Sequence, residues 1–291
     1  MVYTMANVKK VLETEVNGLK VNLFEYDIES EESISQIKEY LINKVKISKV
    51  HNTAEYDLTY YGTQNLDPEF VARFNEQVAR INIPKKSSIP QFDVRRERVT
   101  EWMAQYLLEQ EYGCKFYDEA DKRINLKAVE IDKHTDGIDV PGIWIDNDRV
   151  RFVVCEVKAS EATEIPCNSA QSLQEDIQKA IDNADNRVSR EILEYMHGIR
   201  NVKIQDELLE KIVGFLVHLI AGEKKDLAEN IMFFPFLLRN NEKIVSDMNI
   251  DDYKNFSLQR VKRENVENII LAFEKRFTDF STQVYEEAIG E

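Results

Sequence analysis

Three charged residues in the middle of the chain have the types and spacing of a metal-dependent hydrolytic site. Glu156 and Lys158 end an apolar run, and Asp139 lies 17 residues before Glu156. Carboxylates are ligands that Mg²⁺ prefers, and the ion completes its shell with water and substrate phosphate oxygens. Bound Mg²⁺ activates water and neutralises charge on phosphoryl oxygens, and a neighbouring lysine can orient or deprotonate that water. The pattern therefore predicts Mg²⁺-dependent phosphodiester hydrolysis, with Mn²⁺ able to replace Mg²⁺.

A β-strand over residues 150–158 would position two of these side chains. Side chains alternate between the two faces of a strand, so Glu156 and Lys158 share one face. Cys155 points to the opposite face, where core packing is favoured over a nucleophilic role. Asp139 lies in a stretch with glycine and proline, and its distance from Glu156 along the chain suits a hairpin. We therefore expect the two carboxylates to lie side by side.

An amphipathic helix over residues 94–112 is predicted to bring a further carboxylate to the site. Glu101 directly precedes the apolar stripe of this helix and can reach inward while the helix packs on the sheet. Glu97, one turn earlier, is the alternative to Glu101. Asp136 is the alternative to Asp139 as the ligand from the turn, with Asp139 then only capping that turn; Asp139 is favoured.

These residues resemble the signature of the PD-(D/E)xK, restriction-endonuclease-like nuclease superfamily. Asp139 and the Glu-Val-Lys that ends at Lys158 match its two motifs, with Ile138 where the proline of the name would stand. The resemblance implies that Asp139 and Glu156 bind the metal and that Lys158 assists the water. It also implies that Glu101, on the preceding helix, supports the metal.

A narrower resemblance covers residues 91–240. The R-x-x-x-T-E of residues 96–101, the Gly-Ile-Asp turn and the Glu-Val-Lys-Ala-Ser of residues 156–160 are similar to HamA, the nuclease-subunit family of Hachiman anti-phage defence systems. The resemblance implies a cytoplasmic effector that degrades DNA together with a helicase subunit, HamB. It implies DNA and this helicase as partners.

Composition excludes several other classes of protein. The chain has 291 residues, 43% of them hydrophobic, so it can bury a core and is not wholly disordered. The longest strongly apolar run, residues 212–221, is shorter than the ~20 residues that span a bilayer, and the amino terminus lacks a secretory signal. Phosphate-loop and dinucleotide-binding motifs are absent, so we expect no nucleotide bound by this chain. These features predict a cytoplasmic protein that is not embedded in a membrane.

The charge constrains how such a chain would meet DNA. The net charge is −15, and residues 91–160 carry 11 basic and 15 acidic side chains. Residues 1–90 carry 11 basic and 13 acidic side chains, and residues 161–291 carry 16 and 25, so no region supplies the cationic surface that non-specific DNA binding usually needs. We therefore expect a partner to deliver the substrate. Two alternatives stay open: a non-catalytic, nuclease-like docking module, and a stand-alone restriction-type endonuclease that reads sequence.

The predicted fold is α/β, a restriction-endonuclease-like mixed sheet flanked by helices. It comprises an amino-terminal α+β region over residues 1–90, the nuclease core over 91–240 and a carboxyl-terminal helical segment over 241–291. Strands are predicted from Leu19 to Ile28 and from Ile231 to Leu238, where Pro235 indicates an edge strand or a bend. Helices are predicted over about 34–45, 67–81, 169–184, 189–198, 205–221 and 263–288. The predicted domain boundary lies near residues 83–92.

Overall fold

A computed structural model describes most of the chain and contains an α/β fold. The described residues are 8–26, 31–51, 67, 69–70, 73–74, 89–117, 137–146, 149–184, 188–199, 210–212, 214, 217, 230–240, 246–273 and 276–289. Three predicted features lie wholly or largely outside these residues: Asp136, the helix over 205–221 and the helix over 67–81. Within them, no helix combines the length and the apolar character that crossing a membrane requires.

Six strands form one mixed sheet. The strands are β1 (Val8–Val16), β2 (Leu19–Tyr26), β3 (Val140–Asp146), β4 (Arg149–Ser160), β5 (Ile231–Asn240) and β6 (Glu267–Phe273). Their order across the sheet is β1-β2-β6-β5-β4-β3. The four inner strands are parallel to one another, while β1 and β3 pair antiparallel with their neighbours at the two edges. The carboxyl ends of the inner strands therefore meet at one edge of the sheet.

Helices cover both faces of this sheet. They are α1 (Glu31–His51), α2 (Ile89–Tyr112), α3 (Asn168–Asp182), α4 (Ser189–Gly198) and α5 (Phe277–Ile289), with short 3-10 helices over Ser246–Tyr253 and Arg263–Asn265. One hydrophobic core lies between the sheet and α1, α2 and α5, and a second lies between the sheet and α3 and α4. An α/β fold with a mixed sheet between helices is therefore confirmed.

Several predicted boundaries hold and others move by a few residues. Helix α2 ends where expected, at Tyr112, and the next residue, Gly113, has a φ of +65° that glycine adopts readily. It begins at Ile89 rather than Val94, so the last residues of the domain boundary predicted over 83–92 are helical. Pro90 lies in the first turn of this helix, where its missing N–H breaks no hydrogen bond. Asp67 acts as the predicted N-cap, because its carboxylate accepts a 3.0 Å hydrogen bond from the Glu69 N–H.

The single helix predicted over residues 263–288 is wrong in its first half. Arg263–Asn265 is a short 3-10 helix, residues 267–273 form β6, a central strand that is buried along its whole length, and among the described residues of this span the α-helix is α5. A strand covered on both faces reads as a continuous apolar run, and such a run also satisfies a helical period. The sheet consequently joins strands from all three sequence regions, with β6 lying between β2 and β5.

Pro235 does not mark an edge strand. β5 lies between β4 and β6, so it has neighbours on both sides. The regular β5–β6 ladder begins one residue later, at Phe236, after a single bridge between Phe233 and Val266. The Tyr253 hydroxyl lies within 3.2 Å of the Pro235 carbonyl oxygen and 3.1 Å of a β6 carbonyl oxygen. A buried hydroxyl therefore links the two strands at the point where proline cannot donate.

Candidate functional site

The β3–β4 hairpin brings Asp139 to the strand that carries Glu156 and Lys158. β3 and β4 pair antiparallel, with Val140 opposite Cys155, so Asp139 immediately precedes the ladder beside Glu156. The Val157 N–H donates a 2.8 Å hydrogen bond to Asp139 Oδ2. The predicted hairpin between the two carboxylates is therefore present, and a backbone hydrogen bond fixes the Asp139 side chain.

The turn before Asp139 is also held by a side chain from the helical layer. The Ile138 N–H donates a 2.6 Å hydrogen bond to Glu191 Oε2 on α4. The Ile138 side chain is buried in the core on the α3 and α4 face. Because Ile138 is fixed by both its backbone and its side chain, the position of the neighbouring Asp139 is defined before any ligand binds.

The two faces of β4 divide as the alternation predicts. Val153, Cys155 and Val157 pack in the core next to α2, whereas Phe152 and Val154 pack in the core next to α3. Glu156 follows the second set and is only 3% exposed. The prediction that Cys155 is a core residue is confirmed, since its side chain is fully buried.

Asp139 and Glu156 form a buried pair of acids. The Glu156 carboxyl lies within hydrogen-bond reach of Asp139. Burial raises the pKa of Asp139, although the Val157 N–H, the Lys158 charge and the Glu156 carboxyl each lower it. Two adjacent carboxylates cannot both stay ionised in a buried position without a compensating proton or cation. The pair is therefore suited to binding a cation.

Lys158 supplies positive charge beside this pair, but its direct partner is a residue of α3. Lys158 Nζ lies 2.9 Å from Asp176 Oδ2. Burial lowers the pKa of Lys158, yet the hydrogen bond and charge of Asp176, with the charges of Asp139 and Glu156, raise it overall. Lys158 is consequently an ammonium at neutral pH. In this arrangement it can orient and neutralise anions, but it is poorly suited to deprotonating water.

Glu101 of α2 lies within electrostatic reach of Asp139 and is held by an arginine of the same helix. Arg98 Nη1 donates a 2.6 Å hydrogen bond to Glu101 Oε2, a pair spaced by three residues. Burial raises the pKa of Glu101 to about 7, with Arg98 opposing the rise and the Asp139 charge adding to it. Glu97 is exposed on the same helix. Glu101 is therefore largely buried, and the nearby Asp139 charge disfavours its ionised form.

Two side chains of the site were absent from the sequence predictions. Arg98 could have been found, because Arg and Glu three residues apart on a helix commonly pair. Asp176 has a weaker signal: it lies three residues after Leu173, at the border of the buried row of α3. The structure brings together Asp139, Glu156 and Lys158, and it places Glu101 within electrostatic reach of Asp139.

A buried ion pair lies near the same edge of the sheet. Arg239, opposite Ser160 in the β4–β5 ladder, places its Nε 2.9 Å from Asp252 Oδ2, and both side chains are fully buried. Arg239 also donates a 2.9 Å hydrogen bond to the Glu164 carbonyl oxygen, and Asp252 Oδ1 accepts one of 2.8 Å from the Cys167 N–H. The pair thereby fixes the loop that joins β4 to α3.

The number of carboxylates at the site limits how a metal could be held. Among the side chains that the structure describes, no three or more His, Cys, Asp or Glu residues converge closely enough to hold a metal ion. Asp139 and Glu156 are described carboxylates that lie together, and two carboxylates are within the one or two that Mg²⁺ commonly takes.

Comparison with known proteins adds no relative: no protein-family model matches this chain, and no curated protein is significantly similar to it.

Proposed function

We propose that this chain is a Mg²⁺-dependent nuclease with a restriction-endonuclease-like fold that hydrolyses phosphodiester bonds in DNA. The observation that supports this most is the buried Asp139–Glu156 pair, with the Lys158 ammonium on the Glu156 face of the same strand. An ordinary surface ion pair would not explain two adjacent acids, one of them 3% exposed, at the end of an apolar strand. A divalent cation between the acids would offset the cost of burying them.

The donor set fits Mg²⁺ better than a softer metal. Asp139 and Glu156 provide hard oxygen ligands, and water and substrate oxygens would complete the shell. The Cys155 thiol is on the opposite face of β4, and burial raises its pKa well above the usual value, so a thiolate ligand is disfavoured. When bound, Mg²⁺ would supply activation of the attacking water and neutralisation of phosphoryl charge.

The chain's own residues would then divide the remaining work. The Lys158 ammonium can stabilise the negative charge that develops on the phosphoryl oxygens. Glu101, within electrostatic reach of Asp139, would support the metal from α2. Arg98 holds the Glu101 carboxylate in place through its 2.6 Å hydrogen bond.

A helicase subunit of a HamB-like, anti-phage defence complex is the proposed partner. The chain carries a net charge of −15, and no sequence region has an excess of basic residues. Free DNA is therefore expected to bind weakly, because phosphate contacts by Lys and Arg provide most of non-specific affinity. A partner that holds DNA would raise the local concentration of substrate at the site.

Plasmid degradation tests the proposal. The full chain is assayed in Mg²⁺, with and without its helicase partner, next to Asp139→Asn, Glu156→Gln and Lys158→Met. Each substitution should lower the rate at least about 100-fold, as expected when a metal ligand or a transition-state charge is removed. Glu97→Gln, an exposed charge on α2, is the matched control and should cleave like the wild type. Equal cleavage by all the variants would refute the proposal.

The products distinguish the alternatives. A degradative effector should give a smear that depends on the partner, whereas a sequence-reading endonuclease should give discrete fragments from the chain alone. A non-catalytic docking module should bind the helicase and cleave nothing in either Mg²⁺ or Mn²⁺.

A further inference from the structure

One acidic side chain of α3 points toward the sheet and the candidate site. The buried row of this helix consists of Ala170, Leu173, Ile177 and Ala180. Asp176 borders that row, and its side chain keeps only 25% of its surface exposed. An aspartate in this position loses part of its hydration, so a cationic partner is needed to stabilise its charge.

Asp176 binds two lysines, one with each carboxylate oxygen. Lys158 Nζ lies 2.9 Å from Oδ2, and Lys179 Nζ lies 3.0 Å from Oδ1. Both lysines lower the pKa of Asp176 against the effect of burial, so the carboxylate stays ionised at neutral pH. The Lys158 side chain therefore extends from β4 to α3 instead of moving freely above the strand.

We propose that Asp176 is a positioning residue that holds the Lys158 ammonium beside Glu156 in the nuclease reaction; this inference rests on the proposed function. A lysine has a flexible four-carbon stem, and fixing its rotamers in advance removes an entropy cost from the reacting complex. A charge already in place also needs no rearrangement when the phosphoryl charge develops. Asp176 acts through Lys158 and does not itself contact substrate.

A first measurement tests the pair without requiring activity. Thermal unfolding midpoints are recorded for the wild type, Asp176→Asn, Lys158→Met and the double variant. If the two side chains interact, the double variant should lower the midpoint by less than the sum of the two single shifts. Shifts that simply add would overturn the inference, because they would mean that the two side chains are not coupled in solution.

A second measurement tests positioning in single-turnover DNA cleavage by the full chain with its partner. Asp176→Asn should lower the rate about tenfold, the lower end of the effect of residues that orient a catalytic ligand. DNA affinity should be unchanged, and Asp176→Glu should recover most of the rate. Glu175→Gln, an exposed neighbour on α3, is the matched control and should behave as the wild type.

The outcomes separate this inference from the function on which it rests. If Lys158→Met loses cleavage while Asp176→Asn keeps the wild-type rate, the inference is overturned and the proposed nuclease function stands. If Lys158→Met cleaves as fast as the wild type, the proposed role of Lys158 fails and the positioning role fails with it. A further loss from Asp176→Asn in the Lys158→Met background would assign Asp176 a role that does not pass through Lys158, and this also overturns the inference.

Discussion

Replacing Glu101 by glutamine should make the metal-free protein more stable at alkaline pH. Burial raises the pKa of Glu101 from 4.5 to about 7. At pH below 4.5 the carboxyl is protonated in both the folded and the unfolded chain, so it costs nothing. Between pH 4.5 and about 7 the unfolded chain releases the proton while the folded protein retains it. The free energy of unfolding therefore falls across this window, and the loss is complete above about pH 7.

The size of the loss follows from the shift. Each pKa unit corresponds to about 1.4 kcal/mol, so the rise to about 7 gives about 3 kcal/mol. Because 17% of the Glu101 side-chain surface is exposed, solvent reduces this to about 1–3 kcal/mol. Glu101→Gln cannot ionise, so its stability relative to the wild type should rise by that amount between pH 5 and pH 8.

Urea denaturation in EDTA at the two pH values measures this difference. Glu111→Gln, an exposed glutamate near the other end of the same helix, controls for the loss of one negative charge. An unchanged stability difference between Glu101→Gln and the wild type from pH 5 to pH 8 would refute the reasoning that burial raises the pKa of Glu101.

Three further substitutions test the fold. Asp252→Asn should destabilise the protein by about 3–5 kcal/mol in urea denaturation, because it leaves Arg239 charged in a fully buried position. A loss of unfolding free energy below about 1 kcal/mol would contradict the buried pair. Tyr253→Phe removes the hydroxyl between β5 and β6 and should lower the free energy of unfolding by about 1–3 kcal/mol in the same assay. An unchanged unfolding midpoint would contradict a stabilising hydrogen bond there. Gly142→Ala should lower the thermal midpoint, because the added Cβ would lie 2.4 Å from the Phe116 ring. Alanine is tolerated only where the space around the glycine is open. A midpoint equal to that of the wild type would show that Phe116 can move.

The sequence was sufficient for the parts of the fold whose signals are local. β2, β4 and β5 are apolar runs of strand length, and α2 combines a regular stripe with a terminating glycine. The sequence analysis does not predict β1, although the turn that follows it has a clear sequence signal. Asn17 and Gly18 have φ values of 53° and 78°, and an Asn-Gly dipeptide between two strands is a strong hairpin signal. The amphipathic, mostly exposed β1 simply lacks the hydrophobicity of its partner.

The non-local features could not be obtained in this way. Whether residues 267–273 form a helix or a strand depends on their insertion between β2 and β5, and that pairing joins segments far apart in the chain. The same limit applies to the site. Asp139, Glu156 and Lys158 could be grouped because a hairpin and one strand connect them, whereas Asp176 meets Lys158 only through the packing of α3 on the sheet.

The most direct test of the central claim is a calorimetric titration of the full chain with Mn²⁺, compared with Glu156→Gln and Glu97→Gln. If Asp139 and Glu156 form a metal site, the wild type and Glu97→Gln should bind Mn²⁺ with the same affinity, and Glu156→Gln should lose that binding. Binding of Mn²⁺ by Glu156→Gln that equals binding by the wild type would contradict the account.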